Sequence, residues 1–196
     1  MKQKSDGAHK HGKLTSAELS TKTWPDFEKL FAANGGVWGG CWCMFYHKPG
    51  DFDAGAYSEN KKAKQGLVTK GEAHGIIVYC GGDPAGWCQF GPREELPRID
   101  GKRMYVPTSD DLWRVTCLFI APRHRKLGLA SLAVKEATKA MEKRKVKVIE
   151  AYPVEGERAS RDLWMGTPKL FECAGFKRVG PLGKSSWVYA LEIGRR

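Results

Sequence analysis

The stretch of residues 112–143 constrains the fold of this chain most strongly, because its residue pattern changes twice along its length. Residues 112–120 (LWRVTCLFI) are rich in β-branched and aromatic side chains, which predicts a buried strand. Pro122 ends that pattern, and the basic loop 123–126 (RHRK) follows it. Residues 130–141 then place apolar side chains at helical spacing, with lysines and glutamates between them. The sequence therefore predicts a strand, a basic turn and an amphipathic helix in direct succession.

The junction between this turn and the helix is suited to bind an anion. The first N–H groups of a helix lack an intrahelical partner and lie at the positive end of the helix dipole. A phosphate group placed there satisfies several donors, provided that no side chain blocks its approach. Gly128 and Ala130 leave such an approach open, while Arg125 and Lys126 add positive charge. Spacing alone is equally consistent with an ordinary strand-turn-helix that carries a solvated basic loop.

Two motifs in this chain resemble those of the GNAT superfamily of N-acetyltransferases. Residues 125–130 (RKLGLA) match its R/Q-x-x-G-x-G/A signature, and residues 167–176 (TPKLFECAGF) resemble its closing helix with an aromatic-x-x-x-Gly-Phe ending. The motifs follow each other in the family's order, and the resemblance covers residues 74–193. Three further segments are similar to one branch of the family, namely WCQFGPR (87–93), LPR (96–98) and EAYP (150–153). That branch does not identify the acceptor.

The resemblance implies a fold and a cofactor. The expected fold is a single α/β (α+β) domain, GNAT-like, with a twisted, mixed, mainly antiparallel sheet flanked by helices. Residues 14–196 would form this domain, and residues 1–13 a flexible tail. Acetyl-CoA is the implied co-substrate, with no metal ion, and its pyrophosphate and pantetheine arm would lie on the turn and on the strand before it. The expected cofactor-binding residues are Leu118, Phe119, Ile120, Arg125, Lys126, Leu127, Gly128, Leu129, Ala130 and Ser131. We expect the central strands to separate after Ile120 to admit the cofactor.

The implied activity is acetyl transfer by direct attack of an amine on the thioester. We therefore expect an N-acetyltransferase, which is an acyltransferase that transfers groups other than aminoacyl groups. Its expected acceptor is a small-molecule or peptide amine. Residues 37–47 (VWGGCWCMFYH) form a dense aromatic segment with neither a helical nor a strand period. Such side chains suit a core or a pocket wall. Since the first helices and their connection build part of the acceptor groove in this family, Trp38 and Trp42 are the expected substrate-binding residues.

The proton donor is less determined by the resemblance. The family often has a tyrosine in its closing helix where this chain has Phe171, and a phenyl ring cannot donate a proton. Tyr152 and Ser131 are the alternative donors. A thiolate also leaves without a dedicated acid, because thiols are acidic enough for release into water.

Glu150 is the candidate catalytic base, with Tyr152 as the second catalytic residue. A charge inside the strand pattern of residues 146–152 is unusual and needs a reason. The alternation of the strand places Glu150 on one face with Val148 and Tyr152, and an apolar neighbourhood there would favour proton uptake by the carboxylate. An edge position facing solvent or an ion pair explains the same residue without catalysis.

Composition limits the function classes. The chain has 196 residues, 41% of them hydrophobic and 28% charged, which is ordinary for one globular domain. No apolar run approaches the ~20 residues that span a bilayer, and the first residues contain no apolar signal core. We therefore expect a cytoplasmic protein with no membrane partner. Its assembly state is open, and a homodimer is one alternative.

The net charge of +11 suits anionic ligands, and part of the excess is explained by the phosphates of CoA. No helix-turn-helix or RNA-binding signature is present, so a basic nucleic-acid-associated protein is the less favoured alternative. The other alternative to an N-acetyltransferase is a regulator that binds acyl-CoA without catalysis, and Phe171 favours it. The six cysteines include no C-x-x-C pair, so we expect reduced thiols and no metal site.

Overall fold

A computed structural model of the chain describes residues 12–48, 50, 52–156 and 163–194. Residues 1–11 of the predicted flexible tail (residues 1–13) lie outside the described residues, so the tail stays a prediction. In chain order the elements are β1 (Leu14–Glu18), α1 (Trp24–Ala32), α2 (Tyr57–Lys70), β2 (His74–Cys80), β3 (Asp83–Pro92), β4 (Trp113–Ile120), α3 (Leu129–Lys143), β5 (Val148–Ala151), α4 (Pro168–Cys173), β6 (Lys177–Pro181) and β7 (Trp187–Glu192).

One sheet contains all seven of these strands, in the order β1-β2-β3-β4-β5-β7-β6. The parallel pair is β4 and β5, and the other neighbours are antiparallel. β4 lies at the centre of the sheet, and α3, which follows it, packs against β2 and β3. The predicted single-domain α+β fold, with a mixed, mainly antiparallel sheet flanked by helices, is confirmed.

The helix α3 covers one face of the sheet with the apolar side predicted from the sequence. Ala133, Val134, Ala137 and Met141 have no exposed surface and belong to a core that includes Val78, Cys88, Phe90 and Ile149 of the strands. Full burial of a side chain the size of valine or methionine stabilises the fold by roughly 1.5–3 kcal/mol. The helix therefore holds its first turn, where the anion site is expected, rigidly against the strands.

A second core lies on the opposite face of the sheet, under α1. Trp87 of β3 belongs to this core and its neighbour Cys88 to the other, as expected from side chains that alternate between faces. Phe27 and Phe31 of α1 pack on Trp87 with ring centroids 4.8 and 6.2 Å away. Much of the aromatic segment 37–47 joins the same core.

The strands β4 and β5 separate earlier than predicted. In their pairing, Trp113 lies opposite Ile149, Arg114 opposite Glu150 and Val115 opposite Ala151. The separation therefore begins after Val115 and not after Ile120. β5 ends at Ala151, and Pro153, which has no N–H, cannot continue its ladder. Residues 116–120 consequently have β3 on one side and an opening on the other.

The helix α2 spans 14 residues of the polar stretch between the aromatic segment 37–47 and β2. Gly66 lies inside it, and the helix ends at Gly71, whose φ of +75° gives the left-handed C-cap that glycine adopts without strain. Within the described parts of the chain, no helix has the length and apolar character required to cross a membrane.

Candidate active site

An open cleft of about 370 Å³ lies where β4 ends and α3 begins. Its walls come from the end of β4, the basic turn, the first residues of α3, and the segment that leads into α4. The lining residues are Trp38, Leu118, Phe119, Ile120, His124, Arg125, Lys126, Gly128, Leu129, Ala130, Ser131, Trp164, Gly166, Thr167 and Leu170.

The backbone of the basic turn, which lines this cleft, is tightly curled. Lys126 has a φ of +64° and Gly128 a φ of +81°, so two left-handed residues flank Leu127. Alternation of this kind produces anion-binding concavities, and a positive φ at a residue such as lysine costs roughly 1–3 kcal/mol. The first intrahelical bond runs from Leu132 N to Gly128 O at 3.0 Å, which leaves the preceding N–H groups of α3 available.

The approach to this concavity is open. A Cβ atom built on Gly128 meets no heavy atom within 4 Å, so no side chain fills the space where an anion would lie. Arg125 and Lys126 are exposed at the rim, and Arg125 Nε donates to Ile120 O at 3.3 Å. The turn therefore fits a phosphate-bearing ligand in shape and in charge.

The structure brings together nine of the ten residues expected to bind the cofactor. Leu127 is the exception, since it does not line the cleft and is half-buried. Leu118, Phe119 and Ile120 line the cleft from the part of β4 that β5 does not pair. The backbone of such a strand offers N–H and C=O groups that an extended amide ligand pairs with, as in strand addition. The assignment of these residues to cofactor binding stays a prediction.

The sequence was compared with models of known protein families. The model described as "Acetyltransferase (GNAT) family" matches residues 40–166, more than half of the chain. The chain belongs to the acetyltransferase (GNAT) family. The family resemblance inferred from the two motifs is thereby confirmed. No curated protein sequence matches this GNAT chain.

Solved structures of the GNAT fold superpose on nearly the whole chain at low sequence identity. A GNAT-family acetyltransferase from Streptococcus pneumoniae is 14% identical with a TM-score of 0.55, over 92% of this chain and 100% of that one. Arabidopsis thaliana NAA60 in complex with acetyl-CoA is 13% identical with a TM-score of 0.54, over 92% and 100%. The ribosomal-protein-S18-alanine N-acetyltransferase from Escherichia coli is 13% identical with a TM-score of 0.52, over 94% and 96%. At these low sequence identities, the similarity shows that the chain shares the fold of these proteins.

Five residues of the cleft were missed by sequence reasoning, namely His124, Trp164, Gly166, Thr167 and Leu170. Thr167 is the N-cap of α4, where its Oγ1 accepts from Leu170 N at 3.3 Å. Burial lowers the pKa of His124 and the adjacent Arg123 lowers it further, so its ring is neutral near pH 7. Trp164 lies in an irregular segment with no periodicity to indicate which way its ring points.

A second cavity of about 240 Å³ adjoins the cleft of this GNAT domain. It is lined by Trp38, Cys41, Cys43, Phe45, Tyr46, Phe52, Ala54, Cys117 and Trp164. Trp38 and Trp164 line both cavities and pack edge-to-face, with ring centroids 4.4 Å apart. Trp38, expected to contact the substrate, therefore lies between the two cavities and is 53% exposed.

Trp42 lies outside both cavities, which corrects the expectation that it contacts a substrate. Its side chain has no exposed surface and packs among Trp24, Phe31 and Tyr57, with ring centroids 5.2–6.4 Å away. Trp42 and Trp38 both have positive φ values, 46° and 20° respectively, in a tightly turned segment, so the sequence has no regular period that distinguishes the buried ring from the exposed one. Trp42 is a core residue.

Glu150 and Tyr152 do not line the cleft, and their surroundings differ from the apolar neighbourhood expected from the strand pattern. The buried carboxylate of Glu150 accepts four hydrogen bonds, from Tyr105 Oη at 2.6 Å, Tyr152 Oη at 2.7 Å, and Thr108 N and Oγ1 at 2.7 Å each. Burial and the charge of Glu150 raise the pKa of Tyr152, which keeps this hydroxyl protonated. Two of these partners, Tyr105 and Thr108, come from the loop between β3 and β4, whose fold the sequence did not reveal, and Tyr152 directly follows β5.

The aromatic position of the closing helix is not in the cleft either. Phe171 is 1% exposed and packs edge-to-face on Phe176, with centroids 5.3 Å apart. Among the described residues, no group of three or more His, Cys, Asp or Glu side chains is arranged to hold a metal ion.

Proposed function

We propose that this chain is an N-acetyltransferase that transfers the acetyl group of acetyl-CoA to an amine. Family membership supports acetyl transfer as the class of reaction. The observation that carries the proposal is the combination of an open anion-binding turn at Gly128 with an unpaired side of β4 leading away from it. A pyrophosphate joined to an amide-containing arm is the ligand chemistry that fits both parts at once.

The roles of the cleft residues follow from their groups. The N–H groups of Leu129, Ala130 and Ser131 would hold the pyrophosphate, and Arg125 and Lys126 would add mobile positive charge. The backbone of residues 118–120 would pair with the pantetheine amides and so fix the thioester. A thioester held in this way needs no covalent bond to the protein, because positioning converts a bimolecular attack into one within a complex.

The transfer itself is a direct substitution at the thioester carbonyl. The amine nitrogen attacks the carbonyl carbon, the new C–N bond forms, and the C–S bond breaks. The nitrogen loses one proton, and the departing thiolate takes one from water or from a nearby donor. The backbone of residues 118–120 and the turn supply the positioning that this step requires.

We assign Glu150 and Tyr152 to positioning the loop between β3 and β4, and not to proton transfer. Their hydrogen bonds hold Tyr105 and Thr108 of that loop in place. A carboxylate that already accepts four short hydrogen bonds has no free lone pair directed at a substrate.

One observation favours a second candidate, a regulator that binds acyl-CoA without turnover. Phe171 stands where the family often has a proton-donating tyrosine, and its ring lies in the core. The expected cytoplasmic location, the homodimer alternative and the nucleic-acid alternative stay predictions.

Two measurements test the proposal. Calorimetric titration with CoA should give micromolar binding, whereas duplex DNA at moderate salt should not bind. Release of free thiol from acetyl-CoA should then be accelerated by at least one member of an amine library. Binding of CoA with no release for any amine would favour the regulator, and salt-sensitive DNA binding without CoA binding would overturn both.

A further inference from the structure

The second cavity has a chemistry that differs from that of the cleft. Five of its nine lining residues are aromatic, three are thiols and one is Ala54. Cys41, Cys43 and Cys117 are buried, and a buried protonated thiol behaves as a small hydrophobe. Burial raises the pKa of Cys43 well above its usual range, which keeps the thiol protonated and uncharged. The cavity is therefore an apolar space walled by rings.

This cavity opens beside the place where the thioester would lie. Cys117 lines the cavity and the next residue of β4, Leu118, lines the cleft. Both belong to the part of β4 that β5 leaves unpaired. Trp38 and Trp164 form the wall that the two spaces share. A molecule in the cavity would thus have one end directed at the cofactor side of β4.

The size of the cavity limits what occupies it. A volume of about 240 Å³ lies just below the range of about 300–1,000 Å³ that is typical of pockets for drug-sized ligands. That space holds one aromatic ring with a short chain and is too small for a folded segment. Aromatic walls also recognise cations, so a charged diamine is the competing occupant.

Resting on the proposed function, we propose that this second cavity selects the acceptor, and that the acceptor is a small primary amine carrying an aromatic or branched apolar body. The body fills the space between Phe45, Phe52 and Cys117, and the amine points past Trp38 towards the thioester. We expect the cavity to disfavour a second charge at the far end of the acceptor, because its lining of rings and protonated thiols does not replace the lost hydration of that charge, and the Arg98 guanidinium already lies 3.8 Å from the ring centroid of Phe45.

The apolar lining also explains how the amine becomes reactive. Removal from water disfavours the charged form of an amine and lowers its pKa. An acceptor bound between rings therefore loses its proton more readily than it does in solution. The pH at which the rate rises should therefore depend on the pKa of the acceptor amine. An arylalkylamine with a lower pKa in solution should reach its full rate at a lower pH.

The substrate arm of the test compares matched amines at saturating acetyl-CoA. We expect kcat/KM for 2-phenylethylamine to exceed that for putrescine, a diamine of similar length, by roughly tenfold to a hundredfold, the range given by burial of one apolar side chain. A preference for putrescine or longer polyamines would overturn the proposed acceptor class while leaving acetyl transfer intact. Absence of CoA binding and of thiol release would instead overturn the proposed function.

A second experiment fills the cavity by a substitution at an exposed residue of its lining. Ala54 is exposed and lines the cavity, so Ala54→Phe should fold normally and project a ring into it. We expect KM for 2-phenylethylamine to rise at least tenfold with unchanged affinity for CoA. The matched control is Ala32→Phe, at an exposed position of α1 outside both cavities, which should change neither value. An unchanged KM in Ala54→Phe would remove the cavity from acceptor binding.

A complementary variant enlarges the same space. Phe52 is half-buried in the cavity wall, so Phe52→Ala should shift the preference from 2-phenylethylamine towards a larger naphthyl-alkylamine by about tenfold. If selectivity between the two amines stays as in the wild type while CoA still binds, the aromatic walls do not define the acceptor and the proposal fails.

Discussion

Arg114 and Glu150 are paired in the register of β4 and β5, and one hydroxyl joins their side chains. Tyr105 Oη accepts from Arg114 Nη2 at 2.9 Å and donates to Glu150 Oε2 at 2.6 Å. Arg114 also binds Asp100 at 2.7 Å, and the hydrogen bonds to Asp100 and Tyr105 raise the pKa of its guanidinium despite burial. The two buried charges therefore anchor the loop between β3 and β4 to the last paired residues of the central strands.

This loop in turn supports the wall of the second cavity. Arg98, which belongs to it, lies with its guanidinium carbon 3.8 Å from the ring centroid of Phe45 and donates to Phe45 O at 3.1 Å. Phe45 lines the cavity. We therefore expect a change at Glu150 to affect the position of Phe45 through the loop, although Glu150 lines neither cavity.

The first prediction concerns Glu150→Gln. The amide replaces one accepting oxygen by a donor that faces hydroxyl donors, so we expect a loss of roughly 1–3 kcal/mol in the free energy of unfolding. Turnover per folded molecule should stay within about tenfold of the wild type, with the larger change in KM for the acceptor. Urea denaturation and steady-state kinetics measure the two effects.

A pH–rate profile separates this role from general-base catalysis. The acid limb should be the same in Glu150→Gln as in the wild type, because Glu150 exchanges no proton with the substrate. Tyr152→Phe, which removes one donor to the same carboxylate, is the matched control and should also lower stability. A loss of roughly a hundredfold or more in turnover, together with a vanished acid limb, would make Glu150 the base.

The anion-binding turn could be predicted because its determinants are local. A strand run, a basic loop, Gly128 and an amphipathic helix are adjacent in the chain, and each depends only on its near neighbours. The β2–β3 hairpin is local in the same way, since it turns at Gly81 and Gly82, both with positive φ. The expected fold and family follow from the resemblance that residues 125–130 and 167–176 carry.

The acceptor side could not be predicted because its determinants are distant in sequence. Trp38 and Trp42 occupy the same glycine-rich segment, and only the fold separates the exposed ring from the buried one. Tyr105 and Thr108, which supply three of the four hydrogen bonds to Glu150, lie more than 40 positions away in an irregular loop, so the strand pattern could not distinguish an apolar site from this hydrogen-bonded one. Trp164 meets Trp38 only in the folded chain.

The second prediction concerns the anion site and uses a matched pair, Gly128→Glu and Gly128→Gln. Both side chains suffer the same strain at a φ of +81°, and both enter the same open space. Only glutamate adds a negative charge where the pyrophosphate approaches the N–H groups. We expect Gly128→Glu to abolish CoA binding in calorimetry and Gly128→Gln to weaken it less. Equal affinities for the wild type and Gly128→Glu would contradict the assignment.

The third prediction concerns thiol reactivity. Cys173 is exposed, whereas Cys41, Cys43, Cys88 and Cys117 are buried, and burial raises the pKa of Cys88 to about 12. Since the thiolate is the reactive form, a chromogenic disulfide reagent should react rapidly with Cys173 and with the buried four only after denaturation. Cys173→Ser should remove the rapid phase and leave the slower reaction of the sixth cysteine, Cys80, which is half-buried. Rapid reaction of the buried thiols in the native protein would show that the second cavity admits the reagent.

The last prediction concerns a buried lysine in α2. Lys64 has no exposed surface, and its Nζ donates to Cys43 O at 3.3 Å and lies 2.9 Å from Nε2 of His47. Burial lowers the pKa of Lys64 to about 8 and the pKa of His47 to about 2. Folding therefore favours the neutral forms of both groups, and the free energy of unfolding must depend on pH.

The sign for Lys64 follows from the two pKa values. Between pH 8 and the unfolded value of 10.5 the unfolded chain binds more protons than the folded one, so the lysine makes stability rise with pH in this window. We expect a contribution of roughly 3 kcal/mol across the window, which Lys64→Met removes. Thiols and tyrosines that titrate in the same range are present in both proteins, so the difference between wild type and variant isolates Lys64. Urea denaturation at pH 7.5, 9 and 10.5 measures this difference, and a value that stays constant with pH would show that Lys64 titrates normally in the folded protein.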